Sequence, residues 1–126
     1  MGEHAVQGRL SRVVEEADCA TRWGNDGLYV LSTPAILGHM EQACVHALSP
    51  TLQDGEMSVG VSVRLSHLAP TPLGDTVTYE VSLSRERRRV DVDFVVTNSR
   101  GTVVSEGSHE RAVIDKARFL DRLARG

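Results

Sequence analysis

A carboxylate inside an apolar helical stripe is the feature of this chain that asks most plainly for a chemical explanation. In the segment PAILGHMEQACVHAL, Ile36, Met40, Ala43 and Ala47 form one row of a helical wheel, and Leu37, Glu41, Cys44 and Leu48 form the row beside it. Glu41 either reaches water at the edge of the helix or meets a partner, because removing its charge from water costs several kcal/mol. In a water-poor pocket it would serve as a general base or nucleophile. His67 stands at the inward end of an alternating strand, directly before a turn, where an imidazole can border a cleft. Helix and sheet must face each other, so Glu41 and His67 are expected to meet. Thr33 adds a hydroxyl at the start of the helix, where free N–H groups and the helix dipole favour a developing oxyanion. Ser32 or Thr33 is equally the N-cap, and spacing alone leaves both roles open.

Two further residues could touch a ligand. Gly60 interrupts a valine-rich strand, which weakens it unless a ligand, a bulge or a second subunit needs the backbone close. Arg111, in GSHERAVI, could pair with a phosphate or a carboxylate, with a surface ion pair as the default. The cluster Arg85, Arg87, Arg88 and Arg89 reads as a solvated hairpin end or as a landing site for a phosphorylated ligand. His39 and His46 share the polar side of the helix and are expected in solvent, and His109 forms no ligand cluster with them. Cys19 and Cys44 are read as small core residues in a reducing compartment. No zinc spacing, phosphate-binding loop, dinucleotide fingerprint or nucleophile elbow occurs, so neither metal nor cofactor is implied.

These side chains need elements to hold them. Ser32-Thr33-Pro34 is a helix start, with a capping hydroxyl and a proline whose φ suits the first turn, and Pro50 ends the helix about four turns later. Before it, residues 9–20 give a faint strand signal, and residues 21–31 are rich in turns. After it the period changes to two. Val59, Val61, Val63 and Leu65 alternate with small or polar residues, and His67 continues the apolar parity. A second strand carries Val77, Tyr79, Val81 and Leu83, and a third Val90, Val92, Phe94 and Val96. A fourth spans about 102–114, and a short helix capped by Asp115 carries Phe119, Leu120 and Leu123. Hairpin-like links make the sheet antiparallel, and a single helix leaves apolar sheet uncovered, so edge-to-edge or face-to-face dimerisation is expected.

The whole chain, residues 1–126, reads as one α+β domain. Valine-rich composition with 4% aromatics favours sheet, and a net charge of −3 gives no field for nucleic acid or an anionic membrane. No secretion signal or membrane-length apolar run appears, which points to the cytoplasm.

The run from Thr33 through LGHMEQACVHALSPTLQDGEMSVGVSVRLSHLAPTPLG, followed by GSHERAVI, resembles the fluoroacetyl-CoA thioesterase family of hotdog proteins over residues 32–114. Thr33, Glu41, Gly60, His67, the TP-LG turn and the late arginine fall in order with compatible gaps. The resemblance implies a hotdog fold, about five antiparallel strands wrapped around one long helix, and a homodimer or tetramer with acyl-CoA at the subunit interface. It implies hydrolysis of acyl-CoA by Thr33, Glu41 and His67, with Gly60 and Arg111 contacting substrate. The fluoroacetyl-specific members carry a phenylalanine-bearing segment before the threonine. Here TRWGNDGLYVLS stands in its place, with Trp23 and Tyr29 its only aromatics, so another short or medium acyl-CoA is expected. A non-catalytic acyl-CoA or acyl-carrier binding protein and an enoyl-CoA hydratase or dehydratase are the competing readings.

Overall fold

The computed structural model describes residues 4–126, and in them the chain runs strand, helix, four strands, helix. Strand β1 is His4–Val13, helix α1 Thr33–Leu48, β2 Glu56–His67, β3 Thr76–Glu86, β4 Arg89–Asn98, β5 Val103–Asp115 and helix α2 Lys116–Arg125. The five strands make one antiparallel sheet in the order β1-β3-β4-β5-β2. This is the long helix on an antiparallel sheet that the hotdog reading requires.

The sequence patterns explain most of the core. Val77, Tyr79, Val81, Leu83, Val90, Val92, Phe94 and Val96 are all buried, as period-two alternation on one face demands. Helix α1 lays Ile36, Met40, Ala43, Cys44 and Leu48 on that face. It comes close over β1, where a Cβ added at Gly8 would lie 2.7 Å from Ala47 Cβ. Cys19 and Cys44 are free and buried, as small core residues.

Three expectations change. The first strand starts earlier than the 9–20 signal: it ends at Val13, and residues 16–23 form two short 3-10 turns. Its inward residues, Val6, Gly8 and Leu10, alternate with polar ones on an edge strand, which mutes the pattern. In β2 the valines do not share a face. Pairing with β5 slips between Gly60 and Ser62, so a β-bulge at Val61 inverts the parity. Ser58 and Gly60 face α1 before the bulge, and Val63, Leu65 and His67 do so after it; Val61 and Val63 are 56% and 42% exposed. Helix α2 is capped as read, Asp115 Oδ1 accepting from Arg118 N at 2.9 Å, but Phe119, Leu120 and Leu123 remain exposed. No helix among the described residues is long and apolar enough to cross a membrane.

Candidate active site

Two groups of polar side chains line the inner face of β2, one at each end. The first lies at the start of α1. Ser32 is the N-cap, its Oγ accepting from Ala35 N at 3.2 Å, and it is buried. Thr33 is therefore spared capping duty, and its Oγ1 lies 2.8 Å from His67 Nδ1. His67 Nε2 is buried without a hydrogen-bond partner among the described residues. Burial lowers the His67 pKa, so the ring is neutral at pH 7.

The second group surrounds Glu41. Arg111 is buried on β5, opposite Gly60, and spends its guanidinium on three neighbours. Nε donates to Ser58 Oγ at 2.9 Å and Nη2 to Ser58 O at 2.9 Å, while Nη1 donates at 3.1 Å to Glu41 Oε2 and at 3.1 Å to His109 Nε2. The surface ion pair expected of Arg111 is thus a buried one, because the bulge in β2 turns Ser58 and Gly60 toward the helix. Glu41 keeps 38% of its side chain exposed and so keeps access to a cleft. That cleft, of about 210 Å³, is lined by Leu37, Glu41, Gly60, Val61, Ser62, Val63 and His109. A Cβ on Gly60 would collide with the Glu41 carboxylate, so this glycine is where a side chain was removed to admit the acid.

The structure brings Thr33 to His67, and Glu41 to Gly60 and Arg111; it does not bring Glu41 to His67. Eight residues along α1, at about 1.5 Å each, separate Thr33 from Glu41 by roughly 12 Å. No hydrogen bond or ion pair among the described residues links the two groups.

The chain carries the same elements as several known proteins. A family model described as fluoroacetyl-CoA-specific thioesterase matches residues 14–117. The chain belongs to that family. A curated fluoroacetyl-CoA thioesterase from Streptantibioticus cattleyicolor is 41% identical over 92 residues, which is 71% of this chain and 65% of the relative, so the match spans just under two thirds of that protein. A variant of the fluoroacetyl-CoA thioesterase FlK, solved in complex with acetyl-CoA, superposes with a TM-score of 0.87 at 29% identity, covering 94% of each chain. A hot-dog-like protein from Thermanaerovibrio acidaminovorans gives a TM-score of 0.86 at 32% identity, over 94% of this chain and 88% of its own.

Within this family member, the remaining titratable groups sort clearly. Burial pushes the Cys44 thiol up to about 11, which leaves it protonated and unsuited to attack. His39 is not the solvated residue its place on the wheel suggested. Its Nδ1 lies 3.1 Å from Tyr79 Oη and its Nε2 3.4 Å from Asp18 Oδ1, because the turns after β1 fold over that side of α1. His46 is exposed as read. Of the basic cluster, Arg85 lies against Glu56 at 3.7 Å and Arg89 against Asp91 at 3.0 Å, which makes it chiefly a paired hairpin end. No three His, Cys, Asp or Glu side chains among the described residues converge as a metal site. Sequence reading passed over His109. Its signal was available in HERAVI, where positions two apart on a strand share a face, so His109 lies inward beside Arg111.

Proposed function

We propose that the protein is an acyl-CoA thioesterase that releases CoA and a free acid from a short or medium acyl-CoA. Glu41, Thr33 and His67 carry the chemistry, and Gly60 and Arg111 border the substrate. The observation that carries this reading is the Glu41 carboxylate, gripped by Arg111 through Oε2 and opening onto an apolar-walled cleft beside a glycine. The cleft is walled by Leu37, Val61 and Val63, apolar side chains suited to an acyl group. A free oxygen on Glu41 attacks the thioester carbonyl and the C–S bond breaks, expelling the CoA thiolate and giving a mixed anhydride that water then opens, or Glu41 takes a proton from a water that attacks instead and the same thiolate leaves; the thiolate is protonated as it departs. Thr33 and the first N–H groups of α1 face the oxyanion. With His67 Nδ1–H donating to Thr33 Oγ1, the hydroxyl proton is free to point at substrate.

The roughly 12 Å between the two groups makes this a two-subunit site. Strand β2 is a sheet edge, and its stretch Met57-Ser-Val-Gly-Val-Ser-Val63 carries no charge. The other edge, β1, carries Arg9 and Arg12, and the outer face of the sheet carries Glu80, Asp91, Asp93 and Glu106, all exposed. This open edge is uncharged over residues 57–63, with Glu56 and Arg64 flanking that stretch, and it invites pairing, whereas the charged outer face resists it. Antiparallel pairing of two β2 strands about a point between Val63 and Arg64 sets Gly60 and Glu41 of one subunit opposite His67 and Thr33 of the other. The homodimer is therefore edge-to-edge, with two composite sites. Free buried thiols in Cys19 and Cys44 fit a cytoplasmic enzyme.

A panel of saturated and unsaturated acyl-CoAs, fluoroacetyl-CoA included, tests the reading by thiol release with wild type and Glu41→Ala. Release from a short acyl-CoA, lost in the variant, is expected. Binding without release would identify a carrier protein, and hydration of an enoyl-CoA without thiol release a hydratase. In H₂¹⁸O, a first turnover that leaves ¹⁸O in Glu41 marks the anhydride route, which general-base catalysis cannot produce.

A further inference from the structure

His109 is 5% exposed, on the inner face of β5 opposite Val63, and the chemistry above gives it no task. Its two ring nitrogens have unlike neighbours. Nδ1 lies 2.8 Å from the Ser62 carbonyl oxygen, which can only accept, so Nδ1 carries a proton. Nε2 lies 3.1 Å from Arg111 Nη1, which can only donate, so Nε2 is a bare acceptor. Two independent contacts specify one neutral tautomer. The same Nε2 lies 3.6 Å from Glu41 Oε2, where a lone pair facing a carboxylate oxygen is unfavourable unless a donor serves both. Arg111 Nη1 does so, at 3.1 Å from each.

Nη1 has two N–H groups, and His109 decides where one of them goes. Without an acceptor at Nε2, that N–H is buried and unsatisfied, which is unfavourable. The acceptor then within reach is Glu41, whose remaining oxygen would be drawn onto the guanidinium. We propose that His109 is a positioning residue for Glu41: by taking one Nη1 proton it limits Arg111 to a one-oxygen grip and leaves the other carboxylate oxygen for the substrate. Its second bond, to Ser62 beside the β2 bulge, ties that arrangement to the edge strand. The inference rests on the proposed role of Glu41 and extends it to a residue that acts through Arg111.

Two substitutions separate this role from simple packing. In His109→Asn the amide nitrogen takes the place of Nδ1 and keeps the Ser62 bond, but nothing accepts from Arg111. In His109→Gln the amide oxygen takes the place of Nε2 and keeps the Arg111 bond while Ser62 is given up. Steady-state thiol release is expected to show kcat about tenfold lower or more in His109→Asn with KM within about twofold, and most of kcat restored in His109→Gln. Equal losses in the two variants, or a loss that follows the thermal midpoint or appears in KM alone, overturn the proposal. Nitrogen-15 NMR supplies an arm independent of turnover. His109 should show a protonated Nδ1 and bare Nε2 at neutral pH, with slow exchange of the Arg111 guanidinium protons in wild type and His109→Gln and fast exchange in His109→Asn. A protonated Nε2, or unchanged exchange in His109→Asn, sinks the positioning role. Wild-type protein that releases no CoA would sink the thioesterase reading instead, with the NMR result still standing for or against His109.

Discussion

On the proposed function Glu41 needs an oxygen to spare, and being held from one side leaves it one. Arg111 grips Oε2 while 38% of the side chain stays open to the cleft. Glu41→Gln keeps the volume and loses the charge, so turnover should fall by about a hundredfold or more with the thermal midpoint little changed. Circular dichroism beside the kinetics checks both, and near-normal turnover would remove Glu41 from the chemistry. Gly60→Ala places a methyl group where the carboxylate sits and should cost turnover through the same residue. The histidines predict a pH response. His39, His67 and His109 all have folded pKa values lowered, each chiefly by burial, from an ordinary value of 6.5. As pH falls below about 6.5 the unfolded chain takes up protons that the folded chain refuses, so stability present above that value is lost toward the lower folded values. The thermal midpoint should be lower at about pH 5.5 than at about pH 7.5, and a midpoint that rises on acidification contradicts the burial of these rings. At this scale the sequence was partly legible: an acid in an apolar row announces itself. Arg111 was legible as a candidate but not its partner, and His109 only through its parity with Arg111, because the partner of each is fixed once β5 is paired with β2.

Among the elements, α1 and β2 decide where the site can be. The helix start is SerThrPro, and the structure divides the two hydroxyls: Ser32 caps and Thr33 bonds His67. Ser32→Ala should therefore cost about 1 kcal/mol of stability, read by denaturant unfolding, and leave activity per folded molecule intact. Thr33→Val should do the reverse, with unfolding unchanged within a few tenths of a kcal/mol and turnover reduced by about a hundredfold. Equal effects of the two changes on unfolding would mean that Thr33 shares the capping. Composition could not divide these roles, since either hydroxyl suits either task. Strands β3 and β4 were readable because strict alternation survives wherever a ladder is regular. Strand β2 was readable as a strand but not by face, because one extra residue at Val61 inverts every side chain beyond it. That inversion lets one strand present both Gly60 and His67 inward, although their numbers have opposite parity.

For the whole molecule, the proposed function has to join two polar groups that stand roughly 12 Å apart along α1 and share no hydrogen bond or ion pair among the described residues. An edge-to-edge dimer through β2 resolves this, and it makes a prediction that no single-chain site shares. Val61 and Val63 are exposed on the uncharged stretch of that edge, residues 57–63. Val63→Lys should leave the hydrophobic core of the monomer unaltered, since the side chain is 42% exposed, but place a charge on the pairing line. Sedimentation should then show a monomer with native circular dichroism; because Val63 also walls the cleft, the oligomeric state and not turnover is the readout. Complementation is the sharper measurement. Glu41→Gln and Thr33→Val, each inactive alone, spoil different groups, so a mixed dimer holds one site with both lesions and one with neither. Unfolding and refolding the two variants together at equal concentration makes mixed dimers about half of the population, and about a quarter of wild-type activity should return. A site contained within one chain returns nothing under the same treatment, because every chain in the mixture carries a lesion. Recovery of activity on mixing, absent from either variant refolded alone, therefore separates a shared site from a private one regardless of which acyl group the cleft prefers.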